Sequence, residues 1–204
     1  MTKIKLTDYK HFDKVFQDSE KLRSMAYDYC IENASFWVDE YLHGFPARGD
    51  YSVGVWGYCY ISFDNCKWED VTSYVEKLEK DFCFFYCEEY EKHLANFKKY
   101  APIIELADMG YIDPKEKDYN YMVSLASAAV EWFQKSILDR LLEEYKQFDD
   151  VENCKQYCLE MEYFDNLYID EYGDICEDRE PIRYDKIDIN TGAVVVPAYR
   201  GVLI

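Results

Sequence analysis

The sequence predicts a helix-rich α+β fold forming a single domain over residues 1–204. Three observations carry this expectation. Long stretches repeat apolar residues every three or four positions, residues 51–63 are dense in β-branched and aromatic side chains, and the C-terminal region turns at Asn190-Thr191-Gly192 between two short apolar runs.

The elements follow in order. Thr7 is placed to cap a short helix carrying Phe12, Val15 and Phe16. Ser19 precedes a longer helical pattern with Leu22, Met25, Ala26, Tyr29, Trp37 and Tyr41, which Gly44-Phe45-Pro46 stops. Residues 51–63 read as one strand, with Val53, Val55, Cys59, Ile61 and Phe63 on one face and Trp56, Tyr58 and Tyr60 on the other. Both faces are apolar or aromatic, so the strand is expected to be covered on both sides, with the Trp56/Tyr58/Tyr60 stripe packed under a helix. Gly54 and Gly57 mark a bulge or a close backbone approach. Val71, Val75, Leu78, Phe82 and Phe85 form a helical stripe that continues through Tyr86, Tyr90, Leu94 and Phe97. Tyr100-Ala101-Pro102 is expected to end or kink that helix. Met122, Leu125, Ala129, Trp132, Ile137, Leu141 and Tyr145 trace a helix of about seven turns. Beyond Asp149-Asp150 a further helix carries Cys154, Cys158, Met161 and Tyr168. Residues 182–199 read as a β-hairpin, expected to pair with the 51–63 strand in one small antiparallel sheet.

Charge narrows the function classes. The 204 residues hold 41 Asp+Glu against 23 Lys+Arg, a formal net charge of −18. Phosphate contacts need Lys and Arg, so direct nucleic-acid binding is disfavoured, as is an anionic membrane surface. Disorder is disfavoured too, because 49% of the residues are hydrophobic and 18% aromatic, enough to build a core. The first residues hold no apolar leader, and no apolar run approaches the ~20 residues of a membrane span. A cytoplasmic protein is expected.

The eight cysteines include two i,i+4 pairs, Cys83/Cys87 and Cys154/Cys158, in segments that read as helical. Neighbours on one helix face do not meet disulfide geometry. Free, buried thiols are the expectation, with an inter-helix bridge or a four-thiolate zinc site between the pairs as alternatives. His11, His43 and His93 show no metal-ligand spacing, and the chain has no phosphate-cradling loop and no nucleophile elbow. No catalytic residue, metal or cofactor is expected.

The acidic excess is concentrated. Residues 151–180 hold 10 acids and 2 bases. The densest run comprises Glu160, Glu162, Asp165, Asp170, Glu171, Tyr172, Asp174, Glu177, Asp178 and Glu180, interleaved with Tyr163, Phe164 and Tyr168. Spaced carboxylates on a folded surface imitate backbone phosphates, and Tyr rings supply interface anchors that Coulomb attraction lacks. The plainer reading is a solvated face that keeps the protein soluble. A calcium loop fails at Gly173, because its first ligand position falls on Tyr168.

In composition and size alone, the chain resembles the small acidic proteins that phages and mobile elements direct against host nucleases, the DNA-mimicking anti-restriction and anti-CRISPR proteins. That resemblance implies no site residue. The expected function is an inhibitor that occupies the basic nucleic-acid groove of a host defence nuclease, its partner being a basic nucleic-acid-binding protein. The alternatives are a small hydrolase or transferase using Cys or carboxylate chemistry, and a structural subunit that self-associates through aromatic surfaces.

Overall fold

Among the described residues the apolar spacing resolves into six α-helices with short antiparallel strands, the helix-rich α+β fold that the sequence predicts. A computed structural model of the chain describes residues 4–54, 58–113, 116–177 and 186–196. Its contacts sort into two compact units, one formed by residues 1–34 with 147–204 and the other by residues 35–146.

In the first unit, β1 (Ile4–Lys5) leads through a turn to α1 (Phe12–Asp18). The α1 cap position is His11, four residues past the expected Thr7. Ser19 holds the next start as expected, its hydroxyl accepting from the Leu22 amide at 3.2 Å at the head of α2 (Glu20–Leu42). Only residues 20–34 of α2 belong to this unit. α6 (Val151–Glu160) starts on an Asp150 carboxylate that accepts from the Glu152 amide, then ends well short of the expected Tyr168. A 3₁₀ turn, Tyr163–Asn166, follows, and then β4 (Leu167–Ile169) and β5 (Ile175–Glu177). The strand order is β1-β4-β5, with Ile4 opposite Ile169 and Leu167 opposite Glu177. Phe12, Phe16 and Phe164 meet with ring centroids 5.8–6.2 Å apart, beside fully buried Leu6, Val15 and Leu22.

The C-terminal hairpin is present as β6 (Lys186–Ile187) and β7 (Val194–Val196), and the outer parts of the expected 182–199 hairpin lie outside the described residues. Its turn is held by the N-terminal segment: Tyr9 Oη donates to the Ile189 carbonyl at 2.5 Å and Lys14 Nζ to the Thr191 carbonyl at 2.9 Å.

The second unit contains residues 35–42 of α2, β2 (Asp50–Gly54), β3 (Tyr58–Ser62), α3 (Trp68–Phe82), α4 (Glu88–Asp108) and α5 (Glu116–Lys146). Here the expected single strand over 51–63 is a hairpin, β2 pairing with β3 in the register Tyr51 to Ile61 and Val53 to Cys59. Among the described residues β2 and β3 pair only with each other, so the expected common sheet with the C-terminal hairpin is not found there. Burial corrects the two-sided covering as well. Ile61 is buried, but Tyr58 and Tyr60 are exposed, so these two rings are not packed under a helix, while Val55 and Trp56 lie outside the described residues.

A break at residues 83–87 divides the expected continuous helix into α3 and α4. Cys83 and Tyr86 there take left-handed backbone angles, φ 48° and 38°. Each such angle costs a non-glycine residue about 1–2 kcal/mol. The gain is burial of Phe84 and Phe85, with Phe85 stacked on Tyr90 at 4.8 Å and tilted against Trp132. Pro102 does not end α4, which runs on to Asp108. The helix stops instead at Gly110, φ 75°, where the Tyr111 amide donates to the Leu106 carbonyl and the Gly110 amide to the Ala107 carbonyl. Facing α4, the α5 stripe buries Ala129, Phe133, Ile137 and Leu141 completely. Among the described residues no helix is long and apolar enough to cross a membrane.

Candidate functional site: the acidic face of residues 160–180

The acidic run is built on a chain reversal and a hairpin rather than on one helix face. Glu160 closes α6, exposed, its carboxylate accepting from Gln156 Nε2 at 2.9 Å. Glu162, φ 54°, turns the chain into the 3₁₀ segment, which drives Phe164 into the core. Asp165 accepts from Lys5 Nζ at 3.0 Å. Its hydrogen bond and charge hold the Lys5 ammonium above the ordinary lysine pKa. An ion pair this exposed contributes little to stability, but it does cancel one carboxylate of the face.

Asp170 is structural. Its Oδ1 accepts from the Tyr172 amide at 2.8 Å and the Asp174 amide at 2.9 Å, closing the turn between β4 and β5. The Gly173 amide completes the turn by donating to the Asp170 carbonyl at 3.1 Å. Glu171, Tyr172 and Asp174 project from this turn and are exposed. Glu177 pairs with Leu167 through its backbone; its side chain, and Asp178 and Glu180 entirely, lie outside the described residues. Thus Asp170, Glu171, Tyr172 and Asp174 share one hairpin tip, and Glu160 and Glu162 share the α6 terminus.

The interleaved rings are not all exposed for the interface role expected of them. Phe164 is fully buried, and Tyr163 is half-buried, stacked on Tyr29 at 4.1 Å. Tyr168 is half-buried, while Tyr172 stands 58% exposed. The rings at 163 and 164 alternate with the acids because they pack the unit, which leaves Tyr172 as the exposed ring of this run.

Beside the hairpin tip lies a cavity of about 410 Å³ that sequence reading missed. Its walls are mainly apolar, from Ile4, Tyr9, Ile169 and Ile189, and its rim carries Asp8, Lys10, Asp170 and Glu171. Ile4 and Ile169, 165 residues apart in the chain, meet here through the pairing of β1 with β4, which no local pattern announces.

Burial raises the pKa of Cys59, Cys66 and Cys154, and a Cys158 contact with burial raises that of Cys30, which opposes thiolate chemistry at those four. All eight are free. Cys30 Sγ lies 3.9 Å from Cys158 Sγ, and the contact together with burial pushes the Cys30 pKa upward. Burial and Cys30 push Cys154 up to about 12. Cys83 and Cys87 are exposed, contrary to the buried helical placement expected, because they flank the α3–α4 break. In the second unit, a groove of about 810 Å³ is walled by Val71, Phe97 and Met109, with Arg48, Glu105 and Cys66 among its polar groups. Burial, reinforced by Asp70 and Asp64, raises the Cys66 pKa, which opposes thiolate chemistry there. His93 stacks on Trp132 at 4.9 Å, and burial lowers its pKa. Among the described residues no group of three or more His, Cys, Asp or Glu is placed to hold a metal ion.

Comparison of the chain with protein-family models, curated proteins and solved structures finds no match.

Proposed function

We propose that this chain is an acidic protein-binding inhibitor that occupies the basic nucleic-acid groove of a nuclease, in the manner of an anti-restriction or anti-CRISPR protein. The observation that carries the reading is the local excess of carboxylates on ordered elements. Glu160, Glu162, Glu171 and Asp174 are exposed at the α6 terminus and on a closed hairpin, and none of the four is in an ion pair among the described residues. Two nearby cations are already engaged: Lys5 with Asp165, and Lys155 with Asp13 at 3.2 Å and Glu152 at 2.5 Å. A fixed array of unneutralised carboxylates presents the charge that a phosphate-binding groove selects, without the entropy cost of ordering a disordered acidic tail.

The test is replacement of Glu160, Glu162, Glu171 and Asp174 together by Lys. Asp170 stays, because it caps the hairpin turn, and Asp165 stays, because it pairs with Lys5. The reading expects loss of partner capture with the fold retained by circular dichroism and thermal melting. Capture that survives the four replacements contradicts it.

A further inference from the structure

We infer that the cavity beside the hairpin tip is an arginine-binding pocket, the seat of one anchoring side chain from the basic partner; the inference rests on the inhibitor reading above and names what that face grips. The cavity pairs two features that are seldom combined. Its floor is aliphatic and aromatic, formed by buried Ile169 and Tyr9 with the half-exposed Ile4 and Ile189 at its sides. Its rim carries three carboxylates, Asp8, Asp170 and Glu171, against one ammonium, Lys10.

Each alternative occupant fails on one of these features. An anion meets the rim carboxylates. A bare metal ion finds no group of three ligating side chains among the described residues. A neutral apolar molecule gains nothing from three charges and strips water from them. A long side chain with an apolar stem and a cationic head uses both, laying methylenes on the floor and placing its charge at the rim. Arginine suits the rim better than lysine, because a planar guanidinium bonds several carboxylate oxygens at once and is more weakly hydrated.

The rim is pre-set for this. Asp170 Oδ1 is fixed by the Tyr172 and Asp174 amides, which orients the whole carboxylate. Neither Asp8 nor Glu171 is in a salt bridge among the described residues. The lower wall is equally firm, since Tyr9 Oη donates to the Ile189 carbonyl at 2.5 Å and fixes the 189 side of the cavity. Glu171 belongs both to the rim and to the exposed acidic face, so a side chain entering here comes from whatever lies on that face.

The probe is the blocked tripeptide acetyl-Gly-Arg-Gly-amide, titrated into the full chain at low salt and followed by isoleucine methyl NMR. The citrulline peptide, equal in shape but uncharged, is the control. A saturable shift of the Ile4, Ile169 and Ile189 methyls with the arginine peptide, at least tenfold weaker with citrulline, is the expected result. The doubly neutralised variant D8N/E171Q, its fold checked by its amide spectrum, is expected to weaken the arginine peptide about tenfold. Shifts confined to surface amides of the acidic run, or equal binding of the citrulline peptide, overturn the pocket. The two readings separate cleanly. A saturating pocket in a chain that captures no nuclease upholds the pocket and sinks the inhibitor reading. A captured nuclease whose salt elution is unchanged by D8N/E171Q does the reverse.

Discussion

At Gly173 the backbone φ is 80°, and the Ile187 amide donates to its carbonyl at 2.6 Å. A β-carbon there would overlap the Ile187 carbonyl oxygen, so both the conformation and the space demand glycine. Gly110 has a similar φ of 75°, yet a β-carbon there meets nothing within 4 Å. The pair makes a controlled experiment. G110A is expected to cost about 1 kcal/mol from backbone strain alone, and G173A about 3 kcal/mol or more, because β6 must move away from the hairpin tip. Urea unfolding of the two variants checks the difference, and equal losses would refute the close approach. A second residue sets a pH dependence. Asp188 Oδ1 accepts from the Asn190 amide at 2.9 Å and the Thr191 amide at 3.3 Å. The Asn190 bond, which leads the effect, holds the carboxyl below its ordinary pKa of 3.8. A depressed folded-state value means that this support for the hairpin turn is complete above the ordinary pKa and is lost as pH falls through the lowered one. A carboxyl-carbon NMR titration is expected to place the Asp188 midpoint below 3.8, and D188N to remove that step from the acid unfolding curve. A midpoint at or above the ordinary value would mean that the turn does not hold the carboxylate.

At the scale of elements, the cysteines report whether the α3–α4 break is real. Cys83 and Cys87 flank it and are exposed, whereas Cys30, Cys154, Cys158 and Cys176 are buried. Native labelling with a thiol reagent at neutral pH is expected to modify Cys83 and Cys87 first, and the four buried thiols only at the rate of unfolding. Were the helix continuous through 83–87, the Phe84 and Phe85 rings would leave the α4–α5 packing and this ordering would change. The same break shows what the sequence concealed. A stripe from Val71 to Phe97 keeps helical spacing across it, because Phe85 and Tyr90 pack on one α5 surface from a loop and from a helix alike. Elements with continuous local pattern were legible: the long α2 and α5 helices, the start of α2 after Ser19, and the Asp188–Gly192 turn. The β4–β5 hairpin was not, although Asp170 and Gly173 stand in turn positions and Leu167, Ile169 and Ile175 supply the apolar residues around them. Its high charge drew it into the reading of an acidic surface, and its strands are only three residues each. β1 is two residues long and, among the described residues, pairs with β4 alone. The candidate site divides likewise. Its exposed carboxylates could be named from the sequence, but the structural duties of Asp165 and Asp170, and the cavity at Ile189, depend on long-range pairing.

For the whole molecule, the net charge of −18 does not by itself identify a face. Residues 35–146 hold 21 acids and 12 bases, and the remaining residues hold 20 and 11, so the two units carry the same excess. What distinguishes residues 151–180 is density, 10 acids against 2 bases, with Lys5 and Lys155 already paired. Charge that only solubilises would be spread, and its removal from any one place would matter little. Charge that mimics phosphates acts locally, and binding through it weakens as added salt screens the facing charges.

The decisive measurement is therefore affinity capture from a bacterial lysate at low salt on two columns, one bearing the native chain and one bearing the variant with Glu160, Glu162, Glu171 and Asp174 changed to Lys. The native column is eluted with rising salt, and the released proteins are identified by mass spectrometry. The account predicts a nucleic-acid-processing enzyme released at moderate salt from the native column, absent from the variant column, and displaced by its own DNA or RNA. Identical eluates from the two columns, or a partner that nucleic acid does not displace, would contradict it.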